Sequence, residues 1–192
     1  NLEAGARALG LARELPAYII AAQTIGLAQL DPALDAKFRQ KIWYLRTFKT
    51  IDGPASVLES SLERPNNWGG HAHAMIAAIA AYLGDKAELD RAYKVFCGWL
   101  GDRSSYAGFK YGSDLSWQAD KTHPVGINLP GATIEGHNMD GAQPEELRRG
   151  GSFSWPLPAN PPTYYPYEGL QGPIMAGIIY ENSGHPEVWG AV

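Results

Sequence analysis

Three stretches of the chain carry residue types that could do chemistry on an anionic substrate. The first is Asn66-Asn67-Trp68-Gly69-Gly70-His71-Ala72-His73, which runs into the most regularly patterned helix of the sequence. A helix N-terminus presents unpaired backbone N–H groups and a partial positive charge, which suits a carboxylate. The amides of Asn66 and Asn67 can donate to the same group, and Gly69 and Gly70 let the backbone approach a ligand closely. His71 and His73 stand two apart, which splays them by about 200° around a helix, so they do not grip one metal ion. The plainer reading makes Asn67 a helix cap and the histidines border residues of the apolar stripe. For His73 the two readings weigh equally, whereas for Asn66, Asn67 and His71 the ligand role is favoured.

The second stretch is Glu135-Gly136-His137-Asn138-Met139-Asp140-Gly141, followed by Gln143-Pro144-Glu145-Glu146-Leu147-Arg148-Arg149-Gly150-Gly151. It brings a titratable imidazole, His137, and two guanidinium groups, whose planar forks match a carboxylate. Arg148 reads as a surface residue and Arg149 as a functional one. The third stretch, Thr163-Tyr164-Tyr165-Pro166-Tyr167, heads the last helix. A phenol there can take or give a proton, and Tyr164, Tyr167, Trp68 and Trp117 can stack on sugar rings.

The elements that position these groups are helices. Leu11, Leu15, Tyr18, Ile19 and Ala22 follow a helical rhythm, with Pro16 expected to kink or restart the helix. Asp31 caps a second helix with Pro32 at its first position and Leu34, Phe38, Ile42 and Leu45 on one side, so the pair reads as a hairpin. Ala72, Met75, Ile76, Ile79, Ala80 and Leu83 form the cleanest stripe, ending at Gly84. Asp85 with Glu88 opens a further helix through Leu89, Ala92, Tyr93, Phe96 and Leu100 to Gly101. From Gly101 to Thr163 no sustained period appears apart from one or two turns at Pro144 to Arg149, and no period-2 strand is found. The aromatic density of this segment argues for an ordered, functional loop. A last helix is expected from Tyr167 to Asn182 with Leu170, Ile174, Gly177 and Ile178 inward. Successive hairpins with a long aromatic loop point to an all-α fold, an (α/α) toroid or an incomplete one.

The 192 residues suit one domain, and the whole of 1–192 reads as a single α/α unit, complete or part of a larger toroid. With 19% charged residues, a net charge of −4 and no basic block, the chain is a poor match for a phosphate backbone, so nucleic acid is excluded as a partner. No apolar run approaches the ~20 residues of a membrane span. The single cysteine, Cys97, sits among Phe96, Trp99 and Leu100 as a small core residue. The chain opens with Asn1 rather than Met and reads as a trimmed form that has lost a signal peptide, which points to a secreted or periplasmic location.

Taken together, Asn66-Asn67-Trp68-Gly69 before an Ala-rich helix ending Tyr82-Leu83-Gly84-Asp85, Asp140-Gly141 with Gln143-Pro144-Glu145-Glu146-Leu147-Arg148-Arg149-Gly150, and Tyr165 ahead of Leu170-Gln171 resemble the alginate-lyase-like polysaccharide lyases. The resemblance covers nearly the whole chain. It implies an (α/α) toroid that cleaves a uronic acid polysaccharide, of glucuronan or alginate type, by β-elimination. It further implies that Asn67 and a histidine, His71 or His137, neutralise the uronate carboxylate, that Tyr165 transfers the proton, and that Arg149 assists. Tyr164 and Tyr167 are alternatives for the phenol, and no metal or organic cofactor is required. Family members specific for alginate place a histidine directly after the paired asparagines; here Trp68 stands there, and the Arg149 to Tyr165 spacing is widened by a proline-rich insertion. Three other readings compete. A glycoside hydrolase would draw two carboxylates from Asp114, Asp120, Glu135, Asp140, Glu145 and Glu146. A non-catalytic carbohydrate-binding domain would use Trp117, Trp155 and the tyrosines as platforms. A zinc site would need His71, His73 and His123 or His137 to converge.

Overall fold

The computed structural model describes residues 6–49, 56–156 and 164–190. It is mainly helical: α1 (Ala6–Thr24), α2 (Leu27–Leu30), α3 (Pro32–Thr47), α4 (Val57–Glu63), α5 (Asn67–Leu83), α6 (Lys86–Trp99), α7 (Pro144–Leu147) and α8 (Tyr164–Ser183). Thr163 and the proline-rich insertion at 157–163 lie outside the described residues, as do residues 1–5. Among the described residues no helix is long and apolar enough to cross a membrane.

Helix α5 is the organising element. It is buried on almost every side from Asn67 to Tyr82 and packs against α1, α4, α6 and α8. Its composition explains this, since a helix apolar all round belongs in an interior, and its run of alanines lets four neighbours come close. Gly84 ends it at φ 71 in the left-handed conformation, and Asp85 then accepts from the Glu88 N–H to start α6. The second hairpin therefore forms as expected.

The first does not. Asp31 caps α3 by accepting from the Leu34 N–H at 2.9 Å, but α1 packs along α5 while α3 contacts α2, α4 and α5. The turn at Gly26, φ 64, and the short α2 redirect the chain between them. Helix α1 also runs unbroken through Pro16, whose ring is buried in the core. Helix α4 was not expected, although Ser56 and Glu59 form a complete capping box at its start.

The facing of α8 also differs from expectation. Ile174 and Ile178 are about half exposed, and the buried side consists of Gly169, Gly172, Pro173, Ala176, Gly177 and Tyr180. Small residues let α8 press directly onto α5. A Cβ on Gly172 would stand 2.2 Å from the Gly70 carbonyl carbon, and one on Gly70 would meet the Pro173 ring at 2.9 Å.

The segment from Gly101 to Gln143 is held by specific bonds instead of helices. The Tyr106 hydroxyl donates to the Leu62 carbonyl at 2.6 Å, and Gln118 bonds both the N–H and the carbonyl of Val125. A two-stranded antiparallel ribbon, β1 (Thr133–Ile134) and β2 (His137–Asn138), turns over Glu135 and Gly136, both at positive φ. Trp117, Ile134 and Met139 form a small core beneath it.

Candidate active site

Asn67 is the first residue of α5, and the cap is its neighbour: the Asn66 side chain accepts from the Trp68 N–H at 3.2 Å. The side chain of Asn67 is thereby released from capping alone. Its Oδ1 accepts from the Trp68 N–H at 3.0 Å and from Nη2 of Arg149 at 3.2 Å. Asn67 is buried, and among the described residues its Nδ2 donates to nothing.

Arg149 reaches this position from the 3-10 turn Arg148–Gly150 that follows α7. Its Nε lies 2.9 Å from Oε2 of Glu146 one turn earlier, and the other Glu146 oxygen accepts the backbone N–H of Asn67. The guanidinium also covers the ring of Tyr165 at the start of α8, 4.4 Å from its centroid. Of the five residues expected to act in catalysis, Asn67 and Tyr165 thus each contact a third, Arg149. The three come from three separated stretches of sequence.

Glu146, which sequence reasoning offers only among the carboxylates open to a hydrolase, belongs to this site. It is 1% exposed. Burial pushes its carboxyl above the ordinary glutamate value, opposed by the Asn67 N–H and by Arg149. The i, i+3 spacing of Glu146 and Arg149 was legible as an ion pair; its bond to Asn67 across 79 residues was not.

Tyr164 and Tyr167 are placed differently from Tyr165. Both are exposed, and the Tyr164 phenol is held above its ordinary value, chiefly by the neighbouring Tyr165, whose ring lies 4.5 Å away. Arg149 covers Tyr165 alone among the three.

The histidines separate. His73 is a core residue: its Nε2 shares a 2.6 Å hydrogen bond with the Tyr180 hydroxyl, its ring stacks on Phe96, and burial depresses its value to about 3. His71, one turn on from Asn67, is also buried and held neutral, at about 4, by desolvation and by Arg13. It lines a groove of about 560 Å³ between α1 and α8 with Arg13, Gln171 and Met175. His137 stacks on Trp155 at 4.0 Å, and no hydrogen bond or ring contact among the described residues joins it to Asn67, Arg149 or Tyr165. The two helical histidines therefore do not converge, and among the described residues no three His, Cys, Asp or Glu side chains gather as metal ligands would.

The remaining expectations resolve by burial. Trp117 is 3% exposed, with its indole N–H donating to the Gly151 carbonyl at 2.8 Å, so no ring face is open to a sugar. Trp68 is half-buried beneath Arg64, whose guanidinium lies 5.0 Å from its ring. Gly69 and Gly70 do serve close approach, but to protein: a Cβ on Gly69 would meet the Arg64 carbonyl oxygen at 1.7 Å. Four of the six carboxylates available to a hydrolase are engaged elsewhere, while Glu135 and Asp140 are exposed. Glu145 is buried against Arg148 and the Gly112 N–H, Glu146 against Arg149, Asp114 accepts from the Ser116 N–H and the Ser152 hydroxyl, and Asp120 bonds within its own loop.

Compared with protein-family models, with curated proteins and with solved structures, the chain matches none of them, and the reading of the site rests on its own geometry.

Proposed function

We propose that the protein is a polysaccharide lyase that cleaves a uronic acid polymer of glucuronan or alginate type by β-elimination, on an α/α toroid of which these helices form all or part. The observation that supports this reading is the contact of Asn67, Arg149 and Tyr165 around one guanidinium. The C5 proton of a uronate is hard to remove because the adjacent carboxylate is negative, and donors that neutralise that charge stabilise the enolate-like intermediate. The Nδ2 amide of Asn67 and the unengaged Nη hydrogens of Arg149 are such donors. Tyr165, as phenolate, takes the C5 proton; the C4–O bond then breaks, and the phenol returns a proton to the leaving oxygen. The products are a new reducing end and a C4–C5 unsaturated uronate. No metal or organic cofactor enters this sequence of steps.

The test is ultraviolet absorbance of unsaturated uronate ends with alginate, glucuronan, hyaluronan and pectate. The expected result is a rise on one of these polymers that is lost in Tyr165→Phe. Cleavage products without unsaturation, or binding with no product, would overturn the reading in favour of a hydrolase or a carbohydrate-binding domain.

A further inference from the structure

We propose that Glu146 is a positioning residue of this site, one that clamps Arg149 by Nε and Asn67 by its backbone N–H so that the Nη edge of the guanidinium is the one left for a substrate carboxylate. The inference rests on the lyase reading and extends it to a group that touches no substrate. Arginine carries five N–H donors in a fixed fork. One edge of that fork faces the protein: Nε is ion-paired with Oε2 of Glu146 at 2.9 Å without a hydrogen bond between them, and one Nη2 hydrogen goes to Oδ1 of Asn67 at 3.2 Å. Among the described residues the Nη1 hydrogens and the second Nη2 hydrogen have no partner, and that pair of nitrogens has the geometry for bidentate carboxylate recognition. Tyr165 closes off one face of the guanidinium plane.

The surroundings of Glu146 leave it little freedom to do anything else. Its Cγ is where a Cβ on Gly169 of α8 would press, at 2.9 Å, and Gln143 fills the neighbouring space while donating to the Pro166 carbonyl. Its charged neighbours are Arg149 and the adjacent Glu145, which is itself paired with Arg148 and the Gly112 N–H. A carboxylate at this depth is costly unless paired, and removing one partner leaves the other uncompensated. Charge therefore ties Arg149 to one place, and the same carboxylate ties that place to the start of α5.

The test begins with Glu146→Gln, which keeps the size of the side chain and an acceptor for the Asn67 N–H but removes the charge. A guanidinium misplaced by a fraction of an ångström still attracts an anion but no longer meets the intermediate. The expected result is a kcat lowered by about ten- to a hundredfold with KM changed much less. In an Arg149→Met background the same substitution should cost nothing further, because Glu146 acts through Arg149; a merely structural role would give additive losses. Should Glu146→Gln fail to fold, Glu146→Asp retains the charge but is too short to reach both partners, and the same kcat-against-KM pattern is expected. Unchanged kinetics, or additive losses, would overturn the inference. One arm needs no turnover: in a carbon-13 carboxyl titration, Arg149→Met should raise the Glu146 midpoint, and an unchanged midpoint would also overturn it. A wild-type protein silent on every polymer would refute the lyase reading, while the titration would still decide the clamp.

Discussion

Oδ1 of Asn67 accepts a hydrogen bond from Nη2 of Arg149 at 3.2 Å, across 82 residues of sequence. The bond joins the N-terminus of the most buried helix to a turn that follows a long irregular segment, so both ends of the candidate site are fixed by the core. Asn67→Ala and Tyr165→Phe should each lower turnover by at least about a hundredfold. Asn67→Ala should cost only about 1 kcal/mol of stability, because Asn66 still caps α5 and the Asn67 backbone still donates to Glu146. Product formation read beside circular dichroism checks both halves, and retained turnover in the two variants would remove the assigned roles.

The two tryptophans of the aromatic segment should behave oppositely. Trp117 fills the small core with Ile134 and Met139 and meets Phe153 edge-on, whereas Trp155 is 51% exposed on top of His137. Trp117→Ala should destabilise by about 3–5 kcal/mol, and Trp155→Ala by less than about 1 kcal/mol. Thermal unfolding of the pair decides this. An unaltered melting temperature in Trp117→Ala would contradict its buried placement.

What could be read from the sequence and what could not divides along a physical line. Caps and stop signals act within four residues, so Asp31-Pro32, Gly84 and Asp85 mark helix ends wherever the tertiary fold takes them. The capping box of Ser56 and Glu59 is an equally local signal, and α4 starts from it. Pairing of helices is not local: α1 and α3 carry complementary-looking apolar faces, yet α1 is drawn to α5 by the alanines that face it. The orientation of α8 failed for a related reason. Apolar periodicity favours large side chains as the inward face, but this helix buries Gly169, Gly172 and Ala176 and leaves Ile174 and Ile178 about half exposed. Within the site, Asn67, Arg149 and Tyr165 could be picked out by type, whereas Glu146 could be named as a carboxylate but not as the link between two of them.

The contact of α5 with α8 makes a sharp prediction about Gly172. A methyl group there would meet Gly70 and the His71 backbone nitrogen at 2.2–2.4 Å, and backbone cannot rotate away as a side chain can. The gain in helix propensity from Gly to Ala, about 1 kcal/mol, is outweighed by forcing the helices apart. Gly172→Ala should therefore be net destabilising by about 2 kcal/mol or more. Urea unfolding measures it, and a stabilised variant would show that the helices are not in such close contact.

His73 predicts how stability responds to acid. Its folded-state value is depressed from 6.5 to about 3, first by desolvation, and that of His71 to about 4. The native state keeps both neutral while the unfolded chain binds protons below pH 6.5. Their contribution is therefore fully present above that pH and is lost as pH falls toward 4 and then 3. At about 1.4 kcal/mol per unit of displacement, the loss from the pair by pH 4 is on the order of a few kcal/mol. Depressed carboxylates such as Asp102 and Asp120 act lower on the scale, below about pH 4. The raised carboxyl of Glu146 works in the opposite sense above its ordinary value. In the window from pH 6.5 to 4.5 the histidines and Glu146 therefore act in opposite directions, and the histidine part is read as the difference between wild type and a histidine variant. His73→Gln, which can still bond Tyr180, should flatten the dependence of unfolding free energy on pH in that window. A wild-type slope retained in His73→Gln would mean that the buried imidazole is not the group whose protonation opens the core.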